Sequence, residues 1–297
     1  MIDFRYHVVS IVAVFLALAV GIVVGTTALN GPILHDLHRN VNDLRNEKHS
    51  LEQQVRGLEG RIDADTAFAS AVEPQIVSGV LPHERVVVVS APHAPSGVRN
   101  GVMKDLALAG ATVTAQVQLS NSYVDAGHLA LLGDLADRLT PVDMPPLSGS
   151  PDQRAAALLA DVLVGNTSNA TFTSVLQGFN SAGVLTLSQP AAAGTMAVVI
   201  GGSASQAPTP VVSLVSAFAT HAAGVVVAGQ GDQKDDPLVY AVRGHRGNKV
   251  ATVDDADTPV GRAAVVLALA HTRDGHGGDF GVGPGASAPL PTPSPTP

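Results

Sequence analysis

The chain has no cysteine and no tryptophan. Without thiols it can form no disulfide, no thiolate nucleophile and no thiolate metal site. The same absence fits oxidising and reducing compartments alike, so it says nothing about location. Aromatic residues make up 3% of the 297 positions, too few for the stacking platforms that read single-stranded nucleic acid. Charge is scarce as well. Asp, Glu, Lys and Arg together reach 14%, with a formal net charge of -8, and the basic residues are scattered, which argues against a nucleic-acid surface. What is abundant is apolar, 45% of the chain, enough to exclude an acidic disordered protein and to fill a sizeable core.

The apolar residues fall into three patterns. From Val8 to Leu29 there is no charged residue, and at about 1.5 Å per residue such a helix spans a hydrocarbon core of about 30 Å. The run predicts an uncleaved single membrane anchor over 8–29 behind a short tail, 1–7, because it is longer than a signal peptide's apolar region and lacks a small-x-small cleavage site. Gly21 and Gly25 stand four apart, either as a close-packing pair for a second helix or as tolerated spacers. Basic residues on both sides, Arg5 before and Arg39, Arg45 and Lys48 after, leave the orientation open.

Beyond an expected break at Gly31-Pro32, the spacing alternates between three and four. Leu34, Val41, Lys48, Val55 and Ile62 occupy a positions, and Leu37, Leu44, Leu51 and Leu58 occupy d positions. A 3.5-residue period with branched residues at a and leucine at every d predicts a parallel two-stranded coiled coil over 33–64. Lys48, polar at a central a position, would fix register at a cost in stability. Glu47 at g would face Glu52 at e of the partner, a mildly repulsive pair.

From Arg85 the period changes again. Val86-Val87-Val88-Val89 is a β-branched run of the kind buried on both faces of a parallel sheet. Further strands are expected at Val113-Leu119, Val184-Leu187, Ala197-Ile200, Gly224-Ala228, Leu238-Val242 and Lys249-Val253. Helices are expected at Val98-Ala109, Leu129-Leu139, Gln153-Leu163, Thr171-Asn180, Val211-His221 and Val260-His271, and a surface loop at Thr140-Pro151. Alternating strands and helices predict an α/β domain with a largely parallel sheet over 85–272, able to fold as a soluble fragment begun near Arg85. Residues 273–297, rich in Gly and then Pro, read as a disordered tail.

Candidate sites are few. Asp254, Asp255 and Asp257 follow an expected strand, where carboxylates either hold a hard cation or, with Thr258 and Pro259, cap and charge-complement the next helix. His35 and His38 share a helix face just after the apolar run, as weak divalent-metal ligands or as solvated residues. His271 and His276 sit near a helix end, where complementing the dipole is role enough. Gly201-Gly202-Ser203 and Gly229-Gln230-Gly231-Asp232 complete no phosphate-binding fingerprint and are read as tight turns. Ser203 lies in no nucleophile elbow. The residues thus indicate no enzyme and no bound cofactor.

The opening Arg5-Tyr6-His7-Val8-Val9-Ser10 through Gly21, together with Thr252-Val253-Asp254-Asp255-Ala256-Asp257, Gly261-Arg262 and Leu267-Ala268-Leu269, resembles the actinobacterial copper transport protein family (MctB-like). The order of anchor, rod, Val-rich strand and α/β body matches it over nearly the whole chain. The resemblance implies an envelope protein of copper ion homeostasis or efflux, with a cytoplasmic N-terminus and the body outside the cell membrane, or placement as an outer-membrane channel. Read from the residues, copper has no soft ligand set, because four methionines and no cysteine offer none. A membrane barrel would need tilted strands of about ten alternating residues, which are missing here. The alternative is an envelope scaffold: a homodimer whose rod positions or regulates a partner protein such as a cell-wall enzyme.

Overall fold

The computed structural model describes residues 4–165, 167–188, 191–204, 208–231, 236–243 and 249–291, without the side chains of residue 4 and residues 27–38. Two compact units divide the chain, Met1–Asp65 and Thr66–Pro297. The first is helical throughout its described length, because α1 runs from Phe4 to Val77. Within it, Arg5–Thr26 is long and apolar enough to cross a membrane, and the side chains from Arg5 to Val24 are exposed.

The expected break at Gly31-Pro32 does not occur, since α1 continues through both residues. A proline removes one backbone hydrogen bond and costs about 3 kcal/mol locally. Asn30 and Gly31 add their own turn preference, yet these are local costs of a few kcal/mol at most, and the helical stretches on both sides outweigh them. Nor does α1 stop near residue 64. It ends at Val77, and Gly79 at φ 71° turns the chain.

The second unit adds a seven-stranded sheet. In chain order come β1 (Arg85–Ser90), α2 (Ser96–Leu108), β2 (Thr112–Leu119), α3 (Asn121–Val124), a 3-10 turn and α4 (Leu129–Leu139). Then follow α5 (Pro151–Val164), α6 (Asn169–Ser181), β3 (Leu185–Ser188), β4 (Met196–Ile200), α7 (Thr209–His221) and β5 (Val225–Ala228). The chain closes with α8 (Pro237–Arg243), β6 (Val250–Val253), α9 (Pro259–Arg273) and β7 (Gly278–Phe280). Spatially the order is β3-β2-β1-β4-β5-β6-β7, parallel except for the β2–β3 pair. The largely parallel α/β body is thus as expected.

Successive strand residues face opposite layers. Val87, Val89, Val199 and Val227 pack beneath α4 to α8 with Leu159, Phe179 and Phe218. Val86, Val88, Val198 and Val226 pack against α2, α9 and the end of α1 with Val77, Leu106 and Leu269. Both faces are covered, which is why these strands read as unbroken valine runs.

Two further expectations fail. Leu238–Val242 is helix, not strand: Pro237 occupies the first helical position, and Leu238, Val239 and Val242 turn to one buried side. Five residues with two valines hold too little periodicity to separate helix from strand. The segment after 273 is not a free tail either. Gly278–Phe280 pairs in parallel with β6, and Leu290 packs on the core. Glycine-rich sequence hid the strand because Gly278, Asp279 and Phe280 carry one apolar side chain between them. Residues 292–297 lie outside the described chain.

Candidate functional site

β1 leads through α2 to β2 on one side, whereas β4 lies on the other. The carboxyl ends of β1 and β4 therefore form the topological switch point, where open α/β sheets place ligands. A cleft of about 70 Å³ opens there, lined by Pro92 and His93 after β1, Gly202 and Ser203 after β4, and Asn121 and Leu238. Among the described residues, His93 is the one titratable side chain that lines it. His93 holds φ 60°, a left-handed conformation rare outside glycine.

The glycines here serve close approach. A β-carbon on Gly202 would strike the Pro92 carbonyl and lie 2.8 Å from the Ala94 nitrogen; one on Gly201 or Gly229 would strike the Asp236 carboxylate. Of the residues read as tight turns, only Gly231 has positive φ, at 70°, and Asp232 lies outside the described residues.

Asp236 was not singled out in the sequence, where it ends the polar stretch Gly231-Asp232-Gln233-Lys234-Asp235. In the fold it is 2% exposed and neither oxygen completes a hydrogen bond. Burial pushes its pKa up to about 7, against the opposing pull of the nearby Leu238, Gln230 and Val239 amides. The one legible signal was Asp-Pro, a helix start.

The three nominated aspartates separate. Asp254 Oδ2 accepts from Arg243 Nη2 at 2.6 Å and from the Gly283 amide at 2.9 Å, and Oδ1 accepts from the Val282 amide at 2.9 Å. Arg243 also donates to the Phe280 and Pro284 carbonyls and to Thr252 Oγ1, which in turn donates to Asp279. Asp255 is buried, and burial together with the neighbouring Asp254 charge raises its pKa to about 6. Asp257 is exposed, and Thr258 is the residue that caps α9, accepting from the Gly261 amide at 2.9 Å. Among the described residues no three His, Asp or Glu side chains are grouped to hold a metal.

His35 and His38 lie on α1, with side chains outside the described residues, as are those of Leu34 and Leu37. His271 and His276 stack at 5.1 Å. Burial, then the His276 charge, lowers the His271 pKa, so His271 is neutral near pH 7 and does not complement the helix dipole. Its buried Nδ1 has no hydrogen-bond partner among the described residues.

Arg262, in the block that carries the resemblance, makes a second buried cluster. Its Nη2 donates to Glu73 Oε2 at 2.9 Å and its Nε to Asp105 Oδ2 at 3.1 Å. Gly101 on α2 leaves the space its side chain crosses. Neither carboxylate was marked by the sequence, where both look like ordinary helix-surface acids.

Along α1, Val41, Leu44, Leu51, Val55 and Leu58 are all exposed in the single chain, Leu44 by 64%. Lys48 Nζ lies 3.4 Å from Glu52, supplying a positive charge beside the Glu47–Glu52 repulsion expected across a seam.

The sequence profile of the family described as "Copper transport outer membrane protein, MctB" matches residues 1–291. Proteins named Copper transporter MctB from Mycobacterium bovis and Mycobacterium tuberculosis are each 30% identical over 304 aligned residues, covering 95% of this chain and 97% of theirs. One of the same name from Mycobacterium leprae is 30% identical over 307 aligned residues, with the same coverage.

Proposed function

Because the chain belongs to the MctB copper transport family, we propose that it serves copper homeostasis from the membrane, as a single-pass anchored homodimer with its α/β body outside the cytoplasm. The match over residues 1–291 carries the copper role. The exposed apolar stretch Arg5–Thr26 supports the anchor, and the uncovered seam supports the dimer through a parallel coiled coil of α1. Paired anchors would raise the effective concentration of the two rods.

The sheet is open and covered by helices on both faces, so this body forms no membrane barrel of its own. A role in copper handling then runs through assembly with other envelope components, which is also the sense of the scaffold reading, a rod that positions a partner such as a cell-wall enzyme. Asp254 and Asp255 as cation ligands, and His35 and His38 as a metal pair at the start of the rod, are the residual candidates for direct metal contact.

Growth of a deletion strain across a copper series tests the role. The deletion strain should be copper-sensitive, with tolerance restored by the full chain and not by a chain lacking residues 5–26; growth indifferent to copper sinks the reading. The absence of cysteine makes cross-linking in membranes clean. Leu51→Cys, at d, should form a disulfide-linked dimer, while Gln53→Cys, at f, should not. Equal cross-linking, or none, rules out the seam.

A further inference from the structure

Where α1 enters the second unit, its last turns dock through Val77, fully buried, and Glu73, 5% exposed. The charged groups facing Glu73 are Asp105 from α2 and Arg262 from α9. One guanidinium thus serves two buried carboxylates. Arg262 is committed to both, with its remaining nitrogen donating to the Asp257 carbonyl at 3.4 Å, and Glu73 Oε1 is buried and accepts no hydrogen bond among the described residues. With both acids ionised the cluster holds one negative charge without a counter-ion, and burying such a charge is costly. A single proton removes it. Protonated, Glu73 can donate to Asp105 while Arg262 continues to balance the remaining charge.

The geometry points to a proton-controlled joint: the final turns of α1 dock on α2 and α9 tightly when the Glu73–Asp105–Arg262 cluster holds a proton, and more loosely when it does not. Burial, and next the Asp105 side chain, raise the Glu73 pKa from 4.5 to about 6. An acid raised on docking stabilises the docked state fully below its free value. That contribution is lost as pH climbs through the docked value, so the joint loosens between about pH 4.5 and 6.5. The segment that would respond is the one joining the body to the anchored helix. The joint would therefore sense the acidity of the compartment that holds the body. Val77 and Leu81 are fully buried beside the cluster, and this apolar docking carries no charge to titrate, so the expected response is graded docking and not release.

Hydrogen exchange on the full chain in detergent micelles, from pH 5 to 7.5 and corrected for intrinsic rates, reads this directly. The amides of residues 70–77 are compared with those of β4 and β5, which report global opening. In wild type the relative opening of 70–77 should rise about eightfold across the range, the part of the shift from 4.5 to about 6 that lies above pH 5. Glu73→Gln keeps the shape without the charge and should hold the acid-side protection at every pH. Asp105→Asn removes the repulsion and should also be flat. A flat wild-type profile overturns the joint, and so does a Glu73→Gln profile that still rises. If Glu73→Gln undocks at all pH values, Asp105→Asn decides: loss of docking there too assigns the cluster a purely structural role.

Discussion

Replacing Arg243 by Met removes one partner of the most enclosed ion pair among the described residues, with side chains 7% and 1% exposed. Breaking such a pair typically costs about 3–5 kcal/mol, because the remaining charge stays buried and unpaired. Here the Val282 and Gly283 amides still bond Asp254, which favours the lower figure. Arg243 also bonds the Phe280 and Pro284 carbonyls, and each lost bond adds about 1 kcal/mol. The expected total for Arg243→Met is therefore about 5 kcal/mol. Much of the effect should be local, because these bonds hold β7 and the segment after it. Urea unfolding of a body begun at Thr66 gives the global cost, and hydrogen exchange of residues 278–290 gives the local one. Adding Asp254→Asn to Arg243→Met should recover about 1–2 kcal/mol by deleting the orphaned charge while keeping an acceptor for the amides. A cost under about 1 kcal/mol for Arg243→Met, or no recovery in the double variant, would refute the assignment of this pair as the fastening of the C-terminal strand.

Asp236 binds a proton more tightly in the folded body than in the open chain. Its stabilisation is full below about pH 4 and lost as pH rises through about 7, so urea midpoints should fall over that range. Asp236→Asn should flatten its share of the fall and be the more stable form at pH 8, by on the order of 3 kcal/mol. A fragment begun at Arg85, which the sequence suggested as a natural start, discards fully buried Val77 and Leu81. By thermal melting it should be less stable than one begun at Thr66 by about 3–5 kcal/mol, and equal stability would show that the end of α1 is not part of the core. Lys48→Ile should raise the melting temperature of the isolated rod and loosen its oligomer choice, whereas Leu44→Lys with Leu51→Lys should abolish association in analytical ultracentrifugation.

The elements legible in the sequence are those with a local cause. Val86–Val89 and Val225–Val227 announce strands buried on both faces because β-branched runs suit nothing else so well. Leu129–Leu139 was placed to the residue because its apolar side chains recur at helical spacing. Leu238–Val242 and Gly278–Phe280 escape the sequence reading because five and three residues are too few to show whether a pattern repeats at helical or strand spacing. Asp236, Glu73 and Asp105 were invisible as buried acids, since an aspartate or glutamate in a helical or polar stretch ordinarily faces water.

By itself the sequence determined a long apolar segment, a heptad stripe, an alternating α/β body and the likeness to one family over nearly its whole length. Each is a matter of composition or short-range period. Tertiary structure alone decided the strand order, and with it the cleft between β1 and β4 and the meeting of Arg262 with Glu73, 189 positions away. It also set the last crossover. α7 and α8 cover one face on the steps to β5 and β6, while α9 joins α2 on the other, so β6–α9–β7 runs opposite in hand to its neighbours. Periodicity tells a segment which of its sides is apolar. It does not tell two distant segments that they will share a proton or a counter-ion, because that depends on where the packed sheet and helices bring them.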